Sequence, residues 1–248
     1  MPIEINCDAG EINREIDDSI LPFVSSCNVC CGAHAGDAAL IEGTIQKAIE
    51  LGVNVGAHPA WPDRENFGRR TMELPLDELK ASLLQQIAHV KQVTESNGGV
   101  LHHVKPHGAL YHDVLRNPEI ATLFLDVLTE MLTEIDSGLS VYGLAGSTFA
   151  ESCKDRGIQF VHEAFGDRRY ESATELRART NSDALIETEA DFCNHMGKLT
   201  AGSVIDIHGQ SHRLPVQTIC LHSDTPNAIN FARLAHGILK EKNNRTDA

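Results

Sequence analysis

Lys105-Pro106-His107-Gly108 sets an ammonium and an imidazole at the end of an apolar step. Pro106 lacks a backbone donor and pushes Lys105 toward an extended conformation, so a strand through residues 101–105 stops there. Gly108 then allows a tight turn or a close backbone approach to a ligand. The same arrangement recurs along the chain. Asp8 and Glu11 follow the alternating Ile3 and Ile5, and His34 follows an apolar run that ends in Asn28-Val29. His58 closes residues 53–57, Glu163 follows residues 159–161, and His222 follows residues 218–221. Asp8, His34 and His58 are residue types that bind a divalent metal, with Glu11 or His107 left as the base. The same groups serve equally as a metal-free carboxylate and imidazole pair that activates water. Lys105 suits an oxyanion or a phosphoryl oxygen. Taken singly, each is also a capping carboxylate or a hydrogen-bonded turn histidine; their shared place after strands favours one site.

Other motifs are absent or plain. There is no H-E-x-x-H and no G-x-x-x-x-G-K-[ST] phosphate loop. Cys27-x-x-Cys30-Cys31 has no second cysteine pair to complete a zinc site and reads as packing. His89, His195 and His236 fall within helical patterns, and His208 and His212 within a polar hairpin.

The elements that must position these groups alternate. Short apolar strands are expected at residues 3–5, 23–29, 53–57, 101–105, 139–144, 159–161 and 218–221, with helices between them. Asp37 caps a helix carrying Ile41, Ile45, Ala48 and Ile49, which Gly52 ends. Further helices are expected from Pro75 to about Asn97, from Asn117-Pro118 to about Ile135, from Gly146-Ser147 to Gly157, and from Asp183 or Thr188 to Leu199. Asp224 is expected to cap a last helix with Phe231, Leu234, Ala235 and Ile238 on one face. Residues 176–180 read as short extended structure, residues 203–216 as a small added β-hairpin, and residues 240–248 as a frayed polar tail. Strand–helix alternation implies a parallel sheet, closed or nearly so, whose carboxyl edge holds the active site.

The chain has 248 residues and no linker-like stretch, so one barrel domain spanning 1–248 is expected. Its 21 Lys and Arg against 35 Asp and Glu give a formal net charge of −14, a poor match to nonspecific nucleic-acid or membrane-surface binding. No apolar run approaches the roughly 20 residues of a membrane span. The amino terminus lacks a signal-peptide pattern, and seven cysteines, an odd number, complete a cytoplasmic reading.

Ordered motifs carry a resemblance across residues 3–239. They are Asn6-Cys7-Asp8-x-Gly10-Glu11, Ser26-x-Asn28-x-x-Cys31-Gly32-x-His34-Ala35-Gly36-Asp37 and Gly56-Ala57-His58-Pro59. Then come Phe67-Gly68-Arg69-Arg70, Lys105-Pro106-His107-Gly108-Ala109-Leu110-Tyr111, Glu163-x-Phe165-x-Asp167-Arg168-x-Tyr170 and Cys220-x-His222-x-Asp224-Thr225-Pro226. The chain thus resembles the LamB/YcsF family, the A subunits of bacterial ATP-dependent 5-oxoprolinases. It departs from the family pattern at Cys30, Ala60 and Ser223 and within residues 173–179.

The resemblance implies an α/β fold, a distorted seven-stranded TIM-like barrel of the glycoside hydrolase/deacetylase type. It implies opening of 5-oxo-L-proline to L-glutamate with cleavage of ATP to ADP and phosphate, in company with subunits B and C. For that reaction Asp8, Glu11, His58, Lys105 and His107 are the expected catalytic residues. Asn28, His34, Arg69, Arg70, Tyr111, Glu163, Arg168 and His222 are the expected substrate contacts. ATP is a co-substrate bound together with the partners, and a divalent metal on Asp8, His34 and His58 stays an open alternative. Two other readings compete: a metal-dependent deacetylase or amidohydrolase that needs no ATP, and a non-catalytic subunit that binds 5-oxoproline.

Overall fold

Side-chain alternation decides what enters the barrel. His103 and Lys105 point inward and are 0% and 2% exposed, while His102, just before them, faces out. In a computed structural model, which describes residues 2–133 and 138–246, the chain begins with β1 (Glu4–Ala9), α1 (Arg14–Ile20), β2 (Ser26–Cys30), α2 (Ala38–Glu50) and β3 (Asn54–His58). It continues through α3 (Leu76–Ser96), β4 (Leu101–Val104), α4 (Gly108–Arg116), α5 (Pro118–Thr133), β5 (Ser140–Leu144), α6 (Phe149–Asp155) and β6 (Gln159–Phe165). Last come β7 (Tyr170–Ser172), β8 (Glu175–Leu176), α7 (Glu189–Thr200), β9 (Ser203–Ile205), β10 (Ser211–Arg213), β11 (Thr218–Leu221) and α8 (Ala228–Thr246).

Among the described residues, seven strands close in the order β1-β11-β6-β5-β4-β3-β2, each parallel to its neighbours. The apolar core lies between this barrel and its helices: Ile41 and Ile45 of α2, Leu79 and Leu83 of α3, and Phe124 and Leu128 of α5 are 0–2% exposed. The lumen, by contrast, is polar. Asp8, Asn28 and Gly56 are successive register partners, and Gly56 pairs with His103. A Cβ at Gly56 would sit 2.2 Å from His103 Nε2, so only glycine leaves room for that imidazole to cross to Asn28 Oδ1 at 2.7 Å. His103 stacks on Tyr142, with ring centroids 3.9 Å apart. Asn6 Nδ2 donates to Thr218 Oγ1 at 2.9 Å. These buried donors have acceptors, as a low-dielectric interior requires.

The expected strands and the 203–216 hairpin are present, with β9 antiparallel to β10. Asp37 accepts from Leu40 N, and Thr188, not Asp183, caps α7 by accepting from Asp191 N. Several expectations are corrected. Strand β1 extends through Asp8, and β6 through Glu163 to Phe165, so both carboxylates lie within strands. Two short helices escape the periodicity reading: α1, capped by Asn13, and α4, which follows His107 directly. Residues 170–176 form a second hairpin, β7–β8. The last helix spans Ala228–Thr246. The expected end of α5 near Ile135 lies outside the described residues. Among the described residues no helix is long and apolar enough to cross a membrane.

Candidate active site

The carboxyl edge of the barrel gathers two carboxylates and three imidazoles. Asp8 sits near the end of β1, Glu11 just beyond it, His58 ends β3, and His107 precedes α4. His58 Nε2 lies 3.4 Å from Asp8 Oδ1 and 3.9 Å from Glu11 Oε1. His107 Nδ1 lies 3.3 Å from Glu11 Oε1 and 3.0 Å from His58 Nε2. All four residues are buried. His34 stands behind them. Its Nε2 meets Glu11 Oε1 at 2.9 Å, and its ring stacks on His107 at 3.8 Å.

Backbone carbonyls set the tautomers. His58 Nδ1 donates to Lys105 O at 2.7 Å, and His107 Nε2 donates to Phe67 O at 2.8 Å. Phe67 has φ +56°, a left-handed conformation costly for a bulky residue. With those protons committed outward, the inner ring nitrogens face each other and two carboxylates. Such an arrangement needs a cation at its centre, either a proton shared between the imidazoles or a metal ion. Ligating histidines characteristically donate their second N–H to a carbonyl in this way.

The donor set fits a divalent metal. One ligand atom from each of Asp8, Glu11, His58 and His107 lies within 4.8 Å of the others. The edges of 3.0–3.9 Å given above are the spacing of ligands about 2 Å from a common ion. This set replaces the sequence-expected Asp8, His34 and His58: His34 spends its Nε2 on Glu11 and supports the cluster from outside. A second grouping, Asp8 with Cys220 and His222, already holds a cation. Lys105 Nζ lies 3.1 Å from Asp8 Oδ1 and 2.9 Å from Cys220 Sγ.

Electrostatics follow from this packing. Burial pushes the Asp8 carboxyl up, but His58 and Lys105 outweigh it and hold it well below the usual carboxylate range. Burial likewise opposes ionisation of Glu11, and His107 and His34 more than reverse it. Burial and the neighbouring His107 drop His34 to about 4 despite Glu11. Burial disfavours the Lys105 ammonium, yet Asp8, Cys220 and Glu163 raise it well above an ordinary lysine. Glu163, fully buried, lies 2.9 Å from Lys105 Nζ. Burial, then Glu163, pushes the Tyr111 hydroxyl up.

Above the cluster opens a cavity of about 650 Å³ lined by Asp8, His58, Lys105, His107, Tyr111 and His222, with Arg69, Arg168 and Arg179 on its walls. Most of the expected residues therefore meet at one mouth. Five do not line the cavity: Glu11 and His34 pack against His107, Glu163 pairs with Lys105, and Asn28 and Arg70 stand apart from it. Asn28 is fully buried, with Nδ2 donating to Asn6 Oδ1 and Asp8 Oδ1, both at 2.8 Å, and Oδ1 held by His103. Its amide is spent on positioning Asp8 and leaves nothing for a substrate. Arg70 is exposed and does not line the cavity that Arg69 lines.

Asp167 is an addition. It accepts from His222 N at 3.0 Å and from His222 Nδ1 at 2.9 Å, aiming His222 Nε2 toward Asp8 Oδ2 at 4.0 Å. The Glu163-x-Phe165-x-Asp167 alternation places Asp167 in phase with Glu163, a signal available in the sequence. Asp224 has the same kind of signal in Cys220-x-His222-x-Asp224, whereas Arg179 has none. Asp224 does not serve as the expected helix cap; its carboxylate takes Arg69 and Arg179 instead. Cys27, Cys30 and Cys31 behave as packing residues, free and buried.

Fold and mouth together define a closed β/α barrel of the hydrolytic kind, with a buried carboxylate–imidazole cluster that can activate water. The chain belongs to the LamB/YcsF family, whose model matches residues 3–248. The A subunit of 5-oxoprolinase from Bacillus cereus (strain Q1) is 42% identical over 93% of this chain and 92% of its own. The A subunit of the Bacillus anthracis 5-oxoprolinase is 40% identical over the same shares. The crystal structure of a lactam utilization protein from Thermus thermophilus superposes with TM-score 0.87 at 33% identity, covering 98% of both chains. A solved structure from Enterococcus faecalis V583, with TM-score 0.58 and 11% identity, shares the fold alone.

Proposed function

We propose that this chain is the A subunit of an ATP-dependent 5-oxoprolinase and opens the lactam of 5-oxo-L-proline to L-glutamate at its barrel mouth. ATP is cleaved to ADP and phosphate in a complex with subunits B and C. The observation that carries this reading is the convergence of Asp8, Glu11, His58, Lys105 and His107 beneath one cavity. Near-full-length identity to chains named for that activity supports it.

The chemistry is consistent. A lactam carbonyl is a weak electrophile with a poor leaving group, and phosphorylating its oxygen activates the carbon. Asp8, Glu11 or His58 accepts the proton of the attacking water, and Lys105 stabilises developing negative charge. The lack of a phosphate loop in this chain agrees with nucleotide handling alongside partners. A divalent ion on Asp8, Glu11, His58 and His107 would acidify the bound water.

The test is 5-oxoproline turnover by the chain with and without subunits B and C and ATP. Turnover is expected only in the complete mixture, and Asp8→Ala and Lys105→Ala are each expected to abolish it. Unchanged turnover in both variants would remove the rim from the chemistry. The metal-fitting donor set favours one second reading, a metal-dependent amidohydrolase that needs no nucleotide. Metal content of the purified chain, together with lactam opening in the absence of ATP, would select that reading.

A further inference from the structure

The cavity walls carry more positive charge than the cluster beneath them uses. Arg69 comes from the loop after β3, Arg168 from the turn between β6 and β7, and Arg179 from the segment after β8; all three line the cavity. One carboxylate, Asp224 in the loop before α8, binds two of them. It accepts from Arg69 Nη2, from Arg179 Nη1 at 3.3 Å and from Arg179 Nη2 at 3.4 Å. Asp224 is not among the lining residues, so it holds these guanidiniums from behind. The other nearby carboxylates are committed elsewhere: Asp167 to His222, and the lining Glu171 and Glu175 to Arg177 and Arg116.

Arg168 supplies an independent sign of a ligand. It is 4% exposed, its Nη2 donates to Arg177 O at 2.6 Å, and its buried Nε–H meets no acceptor among the described residues. Burial and then the Arg179 charge press Arg168 down to about 10, and Asp167 and Asp224 offset this only in part. Three guanidiniums thus share one free carboxylate in a chain whose formal net charge is −14. Planar guanidinium forks match a carboxylate in two parallel hydrogen bonds.

We propose that Arg179 and Arg168, with Arg69, form a clamp for the carboxylate of the lactam substrate, and that Asp224 is the positioning residue that aims Arg69 and Arg179. The site then selects cyclic amides bearing a ring carboxylate over neutral ones. This assignment rests on the function proposed above.

The test compares 5-oxo-L-proline, 2-pyrrolidone and inorganic phosphate. Binding to the intact chain is measured by calorimetry, and KM and kcat in the complex with its partners and ATP. The wild type is expected to favour 5-oxoproline over neutral 2-pyrrolidone by about ten- to hundredfold, the range for losing charged hydrogen bonds. Arg179→Met should raise the KM for 5-oxoproline by that factor and leave 2-pyrrolidone affinity unchanged. Arg179→Lys should recover only part, because a point charge lacks the fork. Asp224→Asn should shift the preference in the same direction by less, and melting by circular dichroism checks that each variant folds. A preference retained in Arg179→Met and Asp224→Asn, or an equal loss for both lactams, overturns the clamp. Loss of phosphate binding with 5-oxoproline unaffected overturns it too, making the arginines a phosphoryl seat. A complex that turns over 5-oxoproline but shows any of these results sinks the clamp alone. A wild-type complex inert toward both lactams sinks the function and the clamp together.

Discussion

His58 and His107 show how little a side chain's identity says until its second nitrogen is accounted for. Each is one imidazole among the 13 in the chain. What separates them is that Lys105 O and Phe67 O each take one ring proton, leaving the other nitrogens 3.0 Å apart and beside Asp8 and Glu11. Thermal melts with added Zn²⁺, Mn²⁺ or Mg²⁺ after chelator dialysis test the ion that this geometry favours. An ion present at a hundred times its Kd adds about 2.7 kcal/mol, roughly 5–10 °C in Tm for a chain of this size. The rise is expected in the wild type and absent in His58→Ala. Equal rises in both, or none in the wild type with any of the three, would point to a shared proton at that position.

At the scale of elements, the strands were readable and two helices were not. Strand β4 was legible because Leu101, His103 and Lys105 share one face and Pro106 ends the run. Helix α1 is seven residues long and mostly polar, below the length at which a 3.6-residue period can be recognised. Helix α4 opens on Gly108, a poor helix residue, because the backbone must turn there with φ +53°. A Cβ at Gly108 would stand 2.5 Å from Gly68 O, next to the carbonyl of Phe67 that orients His107. Gly108→Ala should therefore cost about 1–2 kcal/mol in left-handed strain alone, with more from the overlap. It should cut lactam turnover far more than it lowers Tm. Wild-type turnover in a folded Gly108→Ala chain would show that the turn is not what places His107.

Over the whole molecule, the first strand pairs with the last, β1 with β11, and closure brings Asp8 to His222 and Lys105 to Cys220. Titration of the whole fold follows from what closure buries. His34 and His112 are both held near 4 by burial, against about 6.5 in an unfolded chain. Between those values the unfolded chain binds the proton and the fold does not, so stability rises with pH across this window and is lost on acidification. Depressed Asp8 and Glu11 add stability that disappears only below the unfolded carboxylate range. Asp17 opposes the histidines. It accepts from Gly10 N at 3.0 Å and Thr44 Oγ1 at 2.6 Å, and burial raises it to about 6. Its contribution is greatest below the unfolded value near 4 and is lost as pH climbs toward 6. Urea midpoints should fall from about pH 6.5 to about pH 4, and more steeply in Asp17→Asn, where that compensation is gone. An Asp17→Asn chain with a shallower pH profile would reverse the sign assigned to Asp17.

The sequence by itself determined the alternating strands, the added hairpin, and the placement of Asp8, Glu11, His58, Lys105, His107 and His222 around strand ends. Those properties are local: an apolar period, a proline or glycine stop, a residue just past it. Tertiary structure alone decided that Asn28 supports Asp8, that Arg179 and not Arg70 faces the cavity, and that Asp224 binds arginines instead of capping α8. Those outcomes depend on pairs far apart in the chain, 75 residues for Asn28 with His103 and 155 for Arg69 with Asp224. No periodicity links such partners; they meet only because the sheet closes and brings its loops to one rim.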